Sequence, residues 1–309
     1  MGSMDVAVLG ADAVGRGVAQ VCAVAGHDVS LHDEEVNVVM DGIDAVQASI
    51  DDAVAAGDLD ESERAAAVDR IEGTTGLEAA VSGVDLVVEA TDRDRDARRD
   101  LFADVEEVVD EETLVATSAP DVSVTAVATG LRRPGRALGL HFIDPPTTPL
   151  VEVVVAEQTT ERTRDAAVEF VAGLDTESVV VRDVPGFAAT RLSLALTAEA
   201  IQMVDERVAG VAAIDRAMER GHDHPVGPLA AADMAGLDAR LEQLEYLAES
   251  LGERFEPPPV LREKVAAGDL GRKTGGGFYV WEGEERSEPA DPDPRPQLRE
   301  ERPSGPDDR

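Results

Sequence analysis

Two side chains, His141 and Glu152, have the types and the spacing of a general base and its supporting carboxylate. His141 follows the apolar run RALGL, and an imidazole exchanges protons near neutral pH. Glu152 lies within the apolar segment LVEVVV, where a buried carboxylate without a partner would be costly. Glu152 therefore needs a partner. The alternative interpretation is that His141 is a core or helix-capping histidine. The strands and helices around His141 and Glu152 distinguish the two interpretations.

A second group of residues, from Gly10 to Gly15, has the spacing of a phosphate-binding loop. Gly10, Asp12 and Gly15 occupy the three glycine slots of G-x-G-x-x-G, between an apolar run and a helical pattern. Asp33 follows 23 positions after Gly10, near the end of the next strand, where a dinucleotide fold places its ribose-binding carboxylate. This carboxylate favours NAD, since it would repel the 2′-phosphate of NADP. The predicted cofactor contacts are Gly10, Ala11, Asp12, Ala13, Val14, Gly15 and Asp33.

Asp12 departs from the fingerprint. The second glycine lets the backbone approach a pyrophosphate closely. Asp12 adds a side chain and a negative charge where two phosphates should lie.

The elements that must position these residues alternate between strands and helices. Apolar strands are predicted at 6–9, 29–32, 84–90, 113–117, 136–142, 150–155 and 178–181. This rhythm predicts an α/β fold with a Rossmann-type, doubly wound parallel sheet, whose sites form at the carboxyl ends of the strands. From Phe187 to Gly252 the pattern is helical and predicts an all-α C-terminal domain. We expect a dinucleotide-binding domain over 4–183, a helical domain over 184–281, and a disordered acidic tail over 282–309.

The net charge of −36, from 64 acidic and 28 basic residues, restricts the possible partners. Such a charge argues against nucleic acid and anionic membranes. Such a charge is typical of a salt-adapted protein with an acidic surface. At high salt, counterions screen the repulsion between the negative charges on that surface. We find no apolar span that could cross a membrane and no signal peptide, so we expect a cytoplasmic protein. The sequence predicts no metal site.

Six motifs, in order, resemble those of the short-chain L-3-hydroxyacyl-CoA dehydrogenases. They are GADAVGRGVAQ, DLVVEA, GLHFIDPP with LVEVV, PGFAATRL, DRAMERGHDHPVGPLAAADMAGLD and GRKTGGGFY. The resemblance implies an NAD-binding Rossmann domain and a helical domain that binds an acyl-CoA and forms a homodimer. It also implies that His141 takes the hydroxyl proton while C3 passes a hydride to NAD, and that Glu152 orients the imidazole. By the same resemblance Arg98, Asp144 and Lys273 contact the cofactor, and Thr190 contacts the substrate.

Several positions differ from the family pattern. Asp12 is one of them. In addition, Asp144 and Thr190 replace asparagines, Pro120 replaces a serine and Arg93 replaces an acidic residue.

The matches and the differences together leave three alternative functions. The preferred one is NAD-dependent 3-hydroxyacyl-CoA dehydrogenation in fatty acid metabolism. The second is an NAD-dependent hydroxyacid dehydrogenase acting on sugar-acid-like substrates without CoA. The third is a catalytically eroded, non-enzymatic paralogue.

Overall fold

The computed structural model describes residues 2–290. The chain divides into two compact units between Ala189 and Thr190, six residues after the boundary expected from the sequence.

In the described part of the first unit, eight strands form one sheet in the order β3-β2-β1-β4-β5-β6-β7-β8. These strands are β1 (Asp5–Leu9), β2 (Asp28–His32), β3 (Ile71–Thr74), β4 (Leu86–Glu89), β5 (Leu114–Thr117), β6 (Ala137–Phe142), β7 (Leu150–Val155) and β8 (Glu177–Arg182). All neighbours are parallel except β6 and β7, which are antiparallel. The predicted doubly wound sheet is therefore confirmed. Strand β3 was not predicted, because its sequence IEGT is short and lacks an apolar run.

Helices cover both faces of this sheet and complete its two apolar cores. They are α1 (Ala13–Val24), α2 (Val36–Ala56), α3 (Glu61–Val68), α4 (Leu77–Val81), α5 (Arg95–Glu106), α6 (Val124–Ala128) and α7 (Glu161–Ala172). On one face Val8 and Leu140 pack with Phe170. On the other face Val115 packs with Phe102. Because both faces are covered, the central strands β4 to β7 are buried apolar runs, and a charged residue within one of them stands out.

The second unit is helical, as predicted. Its helices are α8 (Ala189–Asp205), which begins at the division, α9 (Val211–Gly221), α10 (Pro228–Ala235), α11 (Leu237–Leu251) and α12 (Pro259–Ala267). They enclose a core that includes Leu194, Ile201, Leu229, Leu244 and Phe278. None of the helices that the structure describes is long and apolar enough to cross a membrane.

The second unit ends in a β-hairpin of β9 (Tyr279–Glu282) and β10 (Glu285–Pro289). The prediction that the chain is disordered from 282 onward is therefore wrong for residues 282–290, and 291–309 lie outside the described residues. Arg286 holds β10, since its guanidinium donates to Glu219 (3.2 Å) and lies over the Tyr279 ring (4.8 Å). The polar sequence ERSEP of β10 gives no apolar signal, and Glu219 lies 67 residues away in sequence.

His27, just before β2, makes the stability of the first unit depend on pH. Its Nδ1 accepts a hydrogen bond from the Met4 N–H (3.0 Å), and its ring lies against Phe170 (5.3 Å). Burial lowers the pKa of His27. Because the unfolded chain then binds the proton more readily, His27 stabilises the fold fully above about pH 6.5, and this contribution is lost as the pH falls towards its lowered pKa.

We expect the urea midpoint in molar KCl to fall more steeply in the wild type than in H27Q as the pH is lowered through this range. Parallel pH dependences of the two proteins would contradict the assignment.

Candidate active site

His141 and Glu152 meet across the one antiparallel strand pair of the described sheet. They lie directly opposite each other in the register of β6 and β7, and His141 Nδ1 is 2.8 Å from Glu152 Oε2. His141 is 7% exposed and Glu152 is fully buried. His141 is therefore the partner that the buried carboxylate of Glu152 requires.

The protein fixes the other oxygen of Glu152 by backbone donors. The N–H groups of Ala188 and Ala189 both donate to Oε1 at 2.9 Å. Burial by itself raises the pKa of Glu152, but the bond with His141 and these two N–H donors outweigh it and hold the pKa below its usual value. An ionised carboxylate only accepts hydrogen bonds, so His141 Nδ1 carries a proton and Nε2 is left as the basic nitrogen.

The phosphate-binding loop is built around two glycines that cannot be replaced. Gly10 has φ +110°, and a Cβ there would lie 2.6 Å from the Ala90 carbonyl oxygen. A Cβ at Gly15 would lie 1.9 Å from the Gly10 carbonyl oxygen. The absence of a Cβ at Gly10 lets the turn between β1 and α1 lie close to the end of β4, as in a dinucleotide-binding loop.

Asp12 has an ordinary backbone conformation, with φ −83° and ψ −167°, so the turn itself does not need a glycine there. Asp12 is the N-cap of α1. Its Oδ1 accepts from the Val14 N–H (3.1 Å) and the Gly15 N–H (3.3 Å). Ala13 is the first residue of the helix. The substitution is therefore compatible with the fold. We expect it to affect the binding of a ligand at the loop instead.

Asp33 follows the carboxyl end of β2 and lies beside the same loop. Its Oδ2 accepts from the Ala11 N–H (3.2 Å), and the Gly10 N–H donates to the His32 carbonyl (2.8 Å). The carboxylate is thereby held against the loop, and in dinucleotide folds an acidic residue at this position binds the ribose. Gly10, Gly15 and Asp33, which the sequence assigned to one site, are brought together.

A buried ionic network at the ends of β4 and β5 was not predicted. Glu89 is fully buried; its Oε2 accepts from the Thr117 hydroxyl (2.7 Å) and its Oε1 from the Thr91 N–H (2.8 Å). Arg98, on α5, lies 3.4 Å from Glu89, 3.5 Å from Asp121, and donates to the Thr91 carbonyl (2.8 Å). Arg98 thus joins the segments that follow the two strands. The sequence does contain a signal for this network, because Glu89 is a charged residue within the apolar strand LVVE. The same kind of signal indicated Glu152.

Two of the substituted positions, Asp144 and Arg93, have local partners. Asp144 has φ +49°, and its Oδ2 accepts from the Thr147 hydroxyl (2.8 Å) within the turn between β6 and β7. Arg93 forms an ion pair with Glu34, the residue after Asp33. Near Pro120, the Ser118 hydroxyl is buried and has no hydrogen-bond partner among the described residues. It therefore keeps its full capacity to donate and accept.

Thr190 and Lys273 belong to the second unit. Thr190 lies in the first turn of α8. Lys273 Nζ donates to Asp238 Oδ2 (2.6 Å), and this bond lowers the pKa of the Asp238 carboxyl. Lys273 is thus bonded within its own unit, and its contact with a cofactor stays a prediction.

Comparisons with known proteins find the same family over nearly the whole described chain. Residues 5–184 match the model of the 3-hydroxyacyl-CoA dehydrogenase NAD binding domain, and residues 186–281 match that of its C-terminal domain. A probable 3-hydroxybutyryl-CoA dehydrogenase from Deinococcus radiodurans is 37% identical over 280 residues, 90% of this chain and 100% of that protein. The 3-hydroxybutyryl-CoA dehydrogenase from Bradyrhizobium diazoefficiens is 36% identical, over 90% of this chain and 95% of that protein.

A solved structure agrees in the same way. The (S)-3-hydroxybutyryl-CoA dehydrogenase PaaH1 from Ralstonia eutropha is 34% identical and has a TM-score of 0.86, covering 91% of this chain and 100% of that one. With both family models matched in order, the chain belongs to the 3-hydroxyacyl-CoA dehydrogenase family.

Proposed function

We propose that the chain catalyses the NAD-dependent oxidation of an L-3-hydroxyacyl-CoA to the 3-oxoacyl-CoA, or the reverse, on short acyl chains of the 3-hydroxybutyryl class. The observation that carries the proposal is the buried His141–Glu152 pair, 2.8 Å apart at the carboxyl end of β6. The relatives named for 3-hydroxybutyryl-CoA support the substrate class.

In this reaction His141 holds and moves the proton. Nε2 takes the proton of the substrate hydroxyl, and the Nδ1–H bond to Glu152 orients the ring and stabilises the imidazolium that forms. The two N–H donors to Oε1 favour the ionised form of Glu152 and fix the carboxylate that orients the ring. When bound, NAD would supply the acceptor for the hydride that leaves C3. In reduction, the imidazolium returns its proton to the oxygen of the 3-oxo group.

The geometry of the first unit fits NAD. Gly10 and Gly15 form the tight turn, and Asp33 is held beside it for a ribose. Arg98, Asp144 and Lys273 remain proposed cofactor contacts, and Thr190 a proposed substrate contact.

Removal of the Asp33 carboxylate should weaken NADH and relax the preference against NADPH. We expect D33S to bind NADH about tenfold more weakly, a change of about 1.4 kcal/mol, because both ribose hydroxyls lose their acceptor. Its NADPH affinity should not fall, since the 2′-phosphate no longer meets a carboxylate. Titration of both nucleotides by fluorescence in molar KCl measures this. An unchanged NADH-to-NADPH affinity ratio in D33S would contradict it.

We also propose a salt-adapted, cytoplasmic protein that forms a homodimer through its helical unit and has neither nucleic acid nor membrane as a partner. The net charge of −36 supports the salt adaptation and argues against polyanionic partners. The dimer is proposed by analogy with the family.

The test of the proposed function is a substrate comparison in molar KCl. Purified protein should oxidise NADH when acetoacetyl-CoA is added, and should not do so with keto-sugar acids. NADH oxidation with the sugar acids alone would select the hydroxyacid branch. No oxidation with either, although NADH binds, would support the eroded paralogue.

A further inference from the structure

The Asp12 carboxylate already occupies donors that a bound pyrophosphate would use. In α1, the N–H groups of Val14 and Gly15 both point to Asp12 Oδ1, at 3.1 and 3.3 Å. The next N–H, of Arg16, already donates to the Asp12 carbonyl (2.9 Å) as the first bond of the helix. The anion-binding end of this helix is therefore partly filled by an anion from its own chain.

The backbone of the loop is closely packed at both of its glycines. Gly10 lies against the backbone of Ala90, and Gly15 lies against the carbonyl of Gly10. The side chain of Asp12, in contrast, is exposed and can rotate into solvent. Asp12 is thus the part of the loop that can yield when a ligand arrives.

We propose that Asp12 is an intramolecular competitor of the NAD pyrophosphate. The carboxylate caps α1 while the loop is free of nucleotide and must leave the Val14 and Gly15 N–H groups when the nucleotide binds. Two effects then weaken nucleotide binding. The helix loses its cap, and a negative carboxylate remains close to two negative phosphates. This inference rests on the proposed function, since it requires NAD at this loop. It differs from simple decay of the site, because Asp12 stabilises the nucleotide-free protein.

Three variants and a matched control test the proposal by nucleotide binding, without turnover. D12G and D12A both remove the capping oxygen and the charge, and alanine costs the helix more stability than glycine at this position. D12N keeps a capping oxygen without the charge. The control is D60N. Asp60 caps α3 in the same way, its Oδ1 accepting from the Ser62 and Glu63 N–H groups at 2.8 Å each. Each protein is titrated with NADH by fluorescence in molar KCl, and its melting temperature is measured with and without NADH.

We expect D12G and D12A to bind NADH about tenfold more tightly than the wild type, with D12N in between and D60N unchanged. The melting temperature of D12A should be lower than that of the wild type without NADH, and NADH should raise it by more.

Wild-type-like NADH affinity in D12G and D12A would overturn the inference while leaving the proposed function intact if the wild type turns over acetoacetyl-CoA. Tighter NADH binding in D12G without any turnover would support the inference and count against the proposed function. Absence of NADH binding in every variant would overturn both.

Discussion

Replacement of His141 by alanine is expected to lower kcat for acetoacetyl-CoA reduction by about 10²–10⁴-fold, the usual contribution of a positioned general acid–base. The loss follows because alanine cannot exchange a proton with the substrate, and no other described side chain is bonded to Glu152 Oε2 to replace His141. NADH binding should be unchanged, since the phosphate-binding loop and Asp33 lie at β1 and β2. Steady-state kinetics and NADH titration of the same preparations measure the two effects separately.

The matched control is H222A, which removes an exposed histidine of the second unit. It should keep the wild-type kcat. A companion variant, E152Q, tests the carboxylate as a positioning residue: kcat should fall on the order of 10²–10⁴-fold with a smaller change in KM. Turnover by H141A at the rate of H222A would rule out His141 as the acid–base group.

The largest expected effect on stability comes from Asp233, a fully buried carboxylate on α10. It accepts from the N–H groups of Phe278 (2.9 Å) and Tyr279 (2.8 Å) and from Trp281 Nε1 (2.9 Å). Burial raises its pKa even though these donors oppose that change. D233A would leave three buried donors unpaired, each costing about 1–3 kcal/mol. We therefore expect the second unit of D233A to lose at least about 3 kcal/mol of unfolding free energy.

Trp281 is the single tryptophan of the chain, so its fluorescence in a urea titration in molar KCl reports unfolding at this position. D205A, which removes an exposed aspartate at the end of α8, is the control and should keep the wild-type midpoint. Coinciding midpoints of D233A and D205A would show that Asp233 does not hold the hairpin strand to α10.

The sheet and the acid–base pair were accessible from sequence because both depend on burial. Apolar runs at regular intervals predicted the strands, and a carboxylate inside one of these runs required a partner. Glu89 carries the same signal within LVVE, and it anchors the Arg98 network. The hairpin at 279–289 could not be predicted, because the sequence ERSEP of β10 is polar and its Arg286 is held in part by Glu219, 67 residues away in sequence.

The phosphate-binding loop shows the opposite limitation. The sequence revealed a charge in a glycine slot, but not that φ at Asp12 suits any residue or that its carboxylate caps α1. Those facts are backbone properties that residue types alone do not determine. They change the interpretation of Asp12 from a damaged fingerprint to a residue with a defined place in the nucleotide-free loop.

The most direct test of the central claim is product analysis. Wild-type protein and H141A are each given NADH and acetoacetyl-CoA in molar KCl, and the CoA products are separated and assigned by stereochemistry. The wild type should form (S)-3-hydroxybutyryl-CoA in equal amount to the NADH oxidised, while H141A binds NADH but forms almost none. Absence of this product with the wild type, or equal rates of its formation by both proteins, would contradict a dehydrogenase that works through His141 and Glu152.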